Sequence, residues 1–128
     1  MSSSIVIRTE EAPSPFQGAP YSQAIKTGEL VFVSGQLGIK PGDTQISGTI
    51  QEQTEQIFKN LQAILEAAGS GLDRIVKTTV FLANLGDFQG MNEIYATRVG
   101  EDRPARSTVE VAALPSGALV EIEAIARV

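Results

Sequence analysis

The alternation of apolar and polar residues divides the first half of the chain into strands, loops and one long helix. Apolar runs that predict strands lie at 5–9, 21–27 and 30–34. Gly28 predicts a tight turn between the second and third of these strands. The run at 30–34 is almost continuously apolar, which is typical of a central strand buried on both faces. The proline-rich segment 11–20 and the segment 35–48 predict ordered loops.

The most regular pattern is a helix that begins after Thr49. Thr49 and Glu52 form a capping-box sequence, and Gly69 stands where a helix would end. Between them, apolar side chains recur at a spacing of about 3.6 residues. They are Ile50, Ile57, Phe58, Leu61, Ile64, Leu65 and Ala68. This segment predicts an amphipathic helix with one buried face.

The second half predicts a strand, a helix and two more strands. A strand at 74–83 has Val76, Thr78, Val80 and Leu82 on one face. A second helix begins at Asp87 and ends near Gly100, and its apolar side is formed by Phe88, Met91, Ile94, Tyr95 and Val99. The strand that follows places Ser107, Val109 and Val111 on one face and Arg106, Thr108 and Glu110 on the other. In the last strand, 119–128, apolar Val120, Ile122, Ala124 and Ala126 alternate with Glu121, Glu123 and Arg127.

The predicted order is β-β-β-α-β-α-β-β in a single domain, residues 1–128. This order is typical of an α+β fold with one mixed sheet and two helices. Two helices cover only one face of such a sheet, yet the runs at 30–33, 76–82 and 107–111 are too apolar to leave the other face in water. We therefore expect a closed, symmetric homo-oligomer to bury that face.

Composition excludes several kinds of chemistry. The chain has no cysteine and no histidine, so it has no disulfide, no thiolate nucleophile, no histidine-ligated metal and no serine-histidine-acid triad. We see no acidic cluster that would favour a metal site. Ten basic and fifteen acidic residues give a net charge of −5, which disfavours nucleic acid and anionic membranes as partners. The start lacks a secretory signal and no run is long enough to span a membrane, so we expect a cytoplasmic protein.

The segment around Arg106 is the strongest candidate for chemistry. Pro104 restricts Arg103 to an extended or turn conformation and so directs the chain into the strand that begins near Arg106. A guanidinium held at a strand end can bind a planar anion such as a carboxylate with two hydrogen bonds. An ordinary surface salt bridge is the alternative interpretation. Residues 114–118 predict a hairpin turn that brings the Arg106 strand beside the last strand, and so places Arg106 near Glu121 or Glu123. That pair is then either a carboxylate site with a proton acceptor or an intrasheet salt bridge.

Three other positions are candidates only in combination with Arg106. Tyr21 places a phenol at the start of a strand, although a tyrosine at a sheet edge is more often structural. Ser34 and Gly35 end an apolar strand. Backbone N–H groups there become free to bind an oxyanion, or they simply belong to a turn that ends the strand. Asn92, on the second helix, has no function that its own position indicates.

Several segments together resemble the Rid (reactive intermediate deaminase) family, and in particular its RidA subgroup of 2-iminobutanoate/2-iminopropanoate deaminases. The similar segments are GAPYSQA at 18–24, VSGQ at 33–36, Asn60-Leu61, IVKTTVFL at 75–82, Met91-Asn92, RPARSTVEV at 103–111 and VEIEA at 120–124. The resemblance extends in order from about residue 5 to the C-terminus.

The resemblance implies a chorismate-mutase-like fold and a homotrimer whose sheets form the central core, with sites between subunits. It also implies hydrolysis of short 2-imino or enamine carboxylates to 2-oxo acids and ammonia, without cofactor or metal. By motif, Arg106 would bind the substrate carboxylate and Glu121 would orient water and move protons. Three further contributions would complete the site. Tyr21 would contact the substrate or its water, and Asn92 would brace the cleft. Further hydrogen bonds would come from the backbone at Ser34, Gly35 and Thr108.

Two other functions remain alternatives. The cleft could sense 2-oxo acids in a regulatory trimer without turnover. An endoribonuclease or translation inhibitor, an activity attributed to some members of the family, is disfavoured by the acidic charge and the absence of histidine.

Overall fold

The computed structural model describes residues 4–128, and the order of its strands and helices agrees with the prediction. The strands are β1 (Ile5–Ile7), β2 (Ala24–Thr27), β3 (Leu30–Leu37), β4 (Ile75–Leu82), β5 (Ala105–Glu110) and β6 (Val120–Arg127). The helices are α1 (Ile50–Ala67) and α2 (Phe88–Arg98). The predicted α+β class, with one mixed sheet and two helices on one face, is confirmed.

The six strands form one sheet in the order β1-β2-β3-β6-β4-β5, and only β4 and β5 are parallel. β6 therefore lies between β3 and β4, and the predicted hairpin pairing of β5 with β6 is wrong. Helix α2 connects β4 to β5, since parallel neighbours need a crossover connection. β5 occupies one edge of β4, so the last strand, β6, pairs with the opposite edge of β4. There β6 lies inside the sheet and its apolar side chains are buried.

Helix α1 has the predicted ends and the predicted buried face. The Thr49 hydroxyl accepts a hydrogen bond from the Glu52 backbone N–H at 3.1 Å, and the Glu52 carboxylate accepts one from the Thr49 N–H at 2.9 Å. Gly69 follows with a φ of +81°, a conformation that glycine adopts without strain. All seven residues of the predicted apolar stripe are buried. They pack against β3 and β6 and form the main core with buried residues of β4 and with Met91 and Tyr95 of α2.

The face of the sheet away from the helices stays open in the single chain. Phe32 is 42% exposed, Val109 43% and Val76 39%. In the single chain the helices cover only the Val31 and Val33 side of β3, and burial of its other face between copies stays a prediction. Val76 was predicted to share a face with Thr78, but a register shift between Ile75 and Lys77 turns it to the open face.

No helix within residues 4–128 is both long and apolar enough to cross a lipid bilayer. The cytoplasmic location stays a prediction.

Candidate functional site

Arg106 and Glu121 lie on opposite faces of the sheet. Arg106 pairs in register with Thr78 of β4, which is buried beneath α2, and Thr78 pairs with Ala124 of β6. Glu121 is three residues before Ala124, and successive side chains of a strand point to opposite faces. The guanidinium therefore lies on the helix side and the carboxylate on the open side. The prediction that Arg106 lies near Glu121 or Glu123 of the same chain is wrong, because β4 lies between β5 and β6.

The turn before β5 directs Arg106 towards α2. Arg103 has a φ of +47°, and its N–H donates to the Gly100 carbonyl at 3.1 Å. Its guanidinium donates to the carbonyl of Ala96 at 2.9 Å, near the C-terminal end of α2. A cation at this end of a helix also interacts favourably with the helix dipole. The turn predicted at Pro104 is thus tied to the helix, and β5 begins immediately beside it.

The guanidinium of Arg106 is held by one amide and two aromatic rings. Nη1 donates to Oδ1 of Asn92 at 2.7 Å. The guanidinium carbon lies 4.7 Å from the ring centre of Tyr95 and 5.4 Å from that of Phe88. Within residues 4–128 the ion pair found is between Arg98 and Glu55, and Arg106 forms none. Both salt-bridge interpretations of Arg106 are therefore wrong, and its charge is left available to an anion.

Sequence analysis missed Phe88 and Tyr95 as neighbours of Arg106. Their spacing with Asn92 is a signal that could have found them, because positions 88, 92 and 95 fall on one side of a helix. Both aromatic residues were instead assigned to the apolar side that packs on the sheet. Tyr95 is indeed buried there, whereas Phe88 is 38% exposed and lies at the rim.

A cleft on the other side of the molecule brings together four of the predicted site residues. Its volume is about 570 Å³. Its lining includes the predicted Tyr21, Ser34, Gly35 and Glu121, and the additional residues Phe16, Gln17, Ala19, Leu37, Pro115 and Glu123. Asn92, Arg106 and Thr108 do not line it. The structure thus divides the predicted site into two groups, one around Arg106 and one around Glu121.

Glu121 is half-buried in this cleft without a hydrogen-bond partner among the described residues. Burial raises the pKa of its carboxyl above the ordinary value, and the nearby charge of Glu123 raises it further. Gly35 packs directly against this side chain: a Cβ at Gly35 would overlap the carboxylate and lie 2.9 Å from Cδ of Glu121. The absence of a side chain at position 35 therefore makes room for the carboxylate.

Tyr21 and Ser34 differ in whether their hydrogen-bond donors are already used within the chain. The Tyr21 hydroxyl oxygen accepts a hydrogen bond from the Phe16 N–H at 2.6 Å, so its own proton remains available to a ligand. Ser34 donates its N–H to the Gln23 carbonyl and its hydroxyl to the Ser22 carbonyl. The prediction of a free Ser34 N–H is wrong because β3 does not end there but continues to Leu37. Gly35, inside the irregular step between Val33 and Gln36, has no register partner on β6.

Thr108 lies two residues beyond Arg106 on the same face of β5, paired with Val80. Its hydroxyl oxygen is buried and makes no hydrogen bond within the described part of the chain. In residues 4–128 no three acidic side chains converge in a way that could hold a metal ion.

Comparisons with known proteins identify the family of the chain and confirm its fold. The family model described as Endoribonuclease L-PSP matches residues 9–128. A RutC family protein of Pyrococcus horikoshii is 52% identical over 94% of this chain and 95% of its own length. The mouse protein named 2-iminobutanoate/2-iminopropanoate deaminase is 47% identical over 94% of this chain and 89% of its own length. The crystal structure of RidA from Psychrobacter superposes with a TM-score of 0.92 at 44% identity and covers 97% of this chain and 99% of its own. The chain therefore belongs to the Endoribonuclease L-PSP family, which includes the Rid proteins.

Proposed function

We propose that this protein hydrolyses short 2-imino and enamine carboxylates, such as 2-iminobutanoate and 2-iminopropanoate, to 2-oxo acids and ammonia. The observation that carries the proposal is the guanidinium of Arg106. It is braced by Asn92 and two rings but is not neutralised by any carboxylate in the described part of the chain. A braced, unpaired guanidinium suits a small carboxylate ligand. A relative 47% identical to this chain carries the name of such a deaminase.

We further propose that each site is completed by two copies of the chain in a homotrimer. Support comes from the opposite placement of Arg106 and Glu121, since neither group can reach the other's side of its own sheet. The open face also carries a row of apolar residues that register across the sheet, including Ile25, Phe32 and Ile125. Burial of this row between copies would stabilise the assembly. Arg106 at the β5 edge of one copy would then face the Glu121 cleft of its neighbour.

The reaction needs little chemical activation because the carbon of a protonated imine is already a strong electrophile. Arg106 would hold the carboxylate and so fix the C=N bond above a water molecule. Glu121, with its raised pKa, would accept a proton as the water oxygen bonds to the imine carbon. The resulting carboxylic acid would return the proton to the amino group of the tetrahedral intermediate. As the C–N bond breaks and ammonia leaves, the Glu121 carboxylate would accept the proton of the new hydroxyl group, which leaves the 2-oxo acid, and would then release that proton to water.

The remaining predicted residues take supporting roles in this proposal. The Tyr21 O–H would donate to the substrate or its water, since its oxygen already accepts from Phe16. The backbone at Gly35 would line the cleft beside the Glu121 carboxylate. Asn92 would brace Arg106, and the backbone at Thr108 would bind beside the carboxylate.

The direct test compares the wild type with Arg106→Ala and with the exposed control Arg74→Ala. 2-Iminopropanoate is generated in the assay, and its loss is followed by ammonia release and by competition with semicarbazide trapping. Loss of a charged, two-point contact should lower kcat/KM about 100-fold or more in Arg106→Ala, whereas Arg74→Ala should behave as the wild type. Equal rates in all three proteins would remove Arg106 from the mechanism. Arg106-dependent binding of pyruvate without any turnover would instead favour the regulatory trimer.

A mixing experiment tests the shared site. Arg106→Ala and Glu121→Gln proteins are unfolded together and refolded as mixed oligomers. If each site takes Arg106 from one copy and Glu121 from another, about a quarter of the sites in an equal mixture contain both intact groups. Recovery of activity in the mixture, but not in either protein refolded alone, is expected. No recovery would contradict a site built from two copies.

RNA cleavage is a second candidate because the matching family model is described as Endoribonuclease L-PSP. The net charge of −5 and the absence of histidine weigh against it. RNase activity that survives purification and is lost in Arg106→Ala or Glu121→Gln would establish it.

A further inference from the structure

A buried pair of hydroxyl groups lies directly beneath Arg106. Thr78 of β4 and Tyr95 of α2 are 0% and 6% exposed, and their hydroxyl oxygens are 2.6 Å apart. An unpaired hydroxyl in this environment would be unfavourable, so each satisfies the other. The hydrogen bond links strand β4 to helix α2.

The same two residues contact Arg106 from two directions. Thr78 is the register partner of Arg106 in the parallel β4–β5 pair. The ring of Tyr95 lies under the guanidinium, at 4.7 Å from its carbon atom. The ring of Phe58 packs edge-on against Tyr95, with the ring centres 5.5 Å apart and the planes at 84°. Tyr95 is thus held at its hydroxyl by Thr78 and at its ring by Phe58, so its orientation is restricted.

We propose that Tyr95 and Thr78 are positioning residues that set the plane of the Arg106 guanidinium. Asn92 holds Nη1, but one hydrogen bond leaves the guanidinium free to rotate about that contact. A fixed aromatic surface beneath the cation removes this rotation, because the attraction depends on the cation lying over the ring. The remaining donors, Nε and Nη2, then point in a defined direction for a planar carboxylate. This inference rests on the proposed role of Arg106 in carboxylate binding.

Simple core packing is the competing explanation for the pair, and it makes a different prediction. If the hydroxyls serve only the core, removal of both should restore the stability and the carboxylate affinity that are lost when one is removed. The reason is that no buried polar group is then left without a partner. If the pair orients Arg106, removal of both should recover stability but should not recover carboxylate binding.

The experiment uses Tyr95→Phe, Thr78→Val and the double variant in the full-length protein. Thermal unfolding reports stability, and calorimetric titration with pyruvate reports carboxylate affinity. We expect both single variants to be less stable than the double variant. We expect all three to bind pyruvate about fivefold more weakly than the wild type, with kcat changed less than KM. Thr54→Val is a matched control, because Thr54 is also fully buried and its hydroxyl donates only to the Ile50 carbonyl.

Two outcomes would overturn the inference. Wild-type affinity in the double variant would assign the pair to core packing alone. Equal losses of kcat/KM from Tyr95→Phe in the wild-type and Arg106→Ala backgrounds would mean that Tyr95 does not act through Arg106. Failure of the proposed function is distinguishable, since it would show as no imine turnover by the wild type, or as pyruvate binding that Arg106→Ala itself leaves unchanged.

Discussion

The surroundings of Arg106 and of Glu121 differ in how firmly each charged group is held. Arg106 is fixed by a hydrogen bond to Asn92 and by contacts with Tyr95 and Phe88. Glu121 makes no hydrogen bond among the described residues and lies against the bare backbone of Gly35. The permanent cation is thus braced, and the group that can gain or lose a proton is left unbraced.

This difference follows from what each group has to do in the proposed reaction. A guanidinium stays protonated throughout, so rigid placement helps it select one orientation of the substrate. A carboxylate that accepted several hydrogen bonds would have a lowered pKa and would be a poor proton acceptor near neutral pH. Partial burial without hydrogen bonds raises the pKa of Glu121 instead. The contacts of Arg106 therefore fix its orientation, whereas the surroundings of Glu121 make its carboxylate a better proton acceptor.

The largest effect is expected from Glu121→Gln, which keeps the shape of the side chain but removes its proton exchange. We expect kcat to fall about 100-fold to 10,000-fold while pyruvate still binds through Arg106. Glu123→Gln is the matched control, because Glu123 lines the same cleft but is exposed. The control should retain most of its activity. A Glu121→Gln enzyme with near-normal kcat would contradict the role of Glu121 as the proton acceptor, and with it the contrast between Arg106 and Glu121.

Gly35→Ala tests whether the space beside the carboxylate matters. The added methyl group would overlap the Glu121 carboxylate and displace it, so we expect kcat to fall about tenfold to 100-fold. The melting temperature should change little, because the displaced group is the end of a partly exposed side chain. In the control Gly71→Ala, the new Cβ meets the Asp73 carboxylate at 2.9 Å. Gly71 precedes the N-terminal end of β4, whereas Glu121 pairs with Phe81 near the C-terminal end of that strand. Equal activity in both variants would contradict the importance of this contact.

Asn92 variants test the bracing of the cation. Asn92→Ala removes the acceptor for Nη1, and we expect KM to rise about fivefold with little change in kcat. Asn92→Asp keeps an acceptor but introduces a carboxylate that competes with the substrate for the guanidinium. A larger rise of KM in Asn92→Asp than in Asn92→Ala is therefore expected from steady-state kinetics. A larger rise of KM in Asn92→Ala than in Asn92→Asp would mean that holding the guanidinium in place matters more than leaving its charge unpaired.

The smallest expected effect is a change of stability with pH. Glu121 has a raised pKa in the folded chain, so it binds its proton more tightly there than in the unfolded chain. Its ionisation therefore opposes folding once the pH rises above the ordinary range of a glutamate. Glu121→Gln should have a slightly higher melting temperature than the wild type near neutral pH, and the difference should vanish at about pH 4. A variant less stable than the wild type at neutral pH would contradict the raised pKa.

Sequence patterns predicted local features well in some segments and failed in others for identifiable reasons. The capping box at Thr49 and the stripe of α1 were correct because both depend on residues within one or two turns of each other. The face assigned to Val76 was wrong because one irregular step in the β4–β6 register reverses the alternation. The extent of β3 was wrong because the glycine at position 35 does not end the strand but lies inside an irregular step.

The candidate site was predicted as a set of residues but not as an arrangement. Tyr21, Gly35 and Glu121 do line one cleft, and Asn92 does contact Arg106. Their assignment to catalysis and binding stays a prediction. The pairing of Arg106 with Glu121 in one chain failed because strand order depends on which edge of β4 each strand occupies. No local pattern in residues 114–118 carries that information.

The sequence by itself determined the kinds of chemistry open to this chain, the order of its elements, both helices and the faces of β5. These follow from composition and from periodicities that act over a few residues. The tertiary structure alone decided that β6 lies between β3 and β4, that Arg106 lies over Tyr95 and that Glu121 opens on the opposite side. The physical reason is that strand order and register are set by contacts between residues far apart in the chain, where the burial of the whole core determines which pairing is most stable.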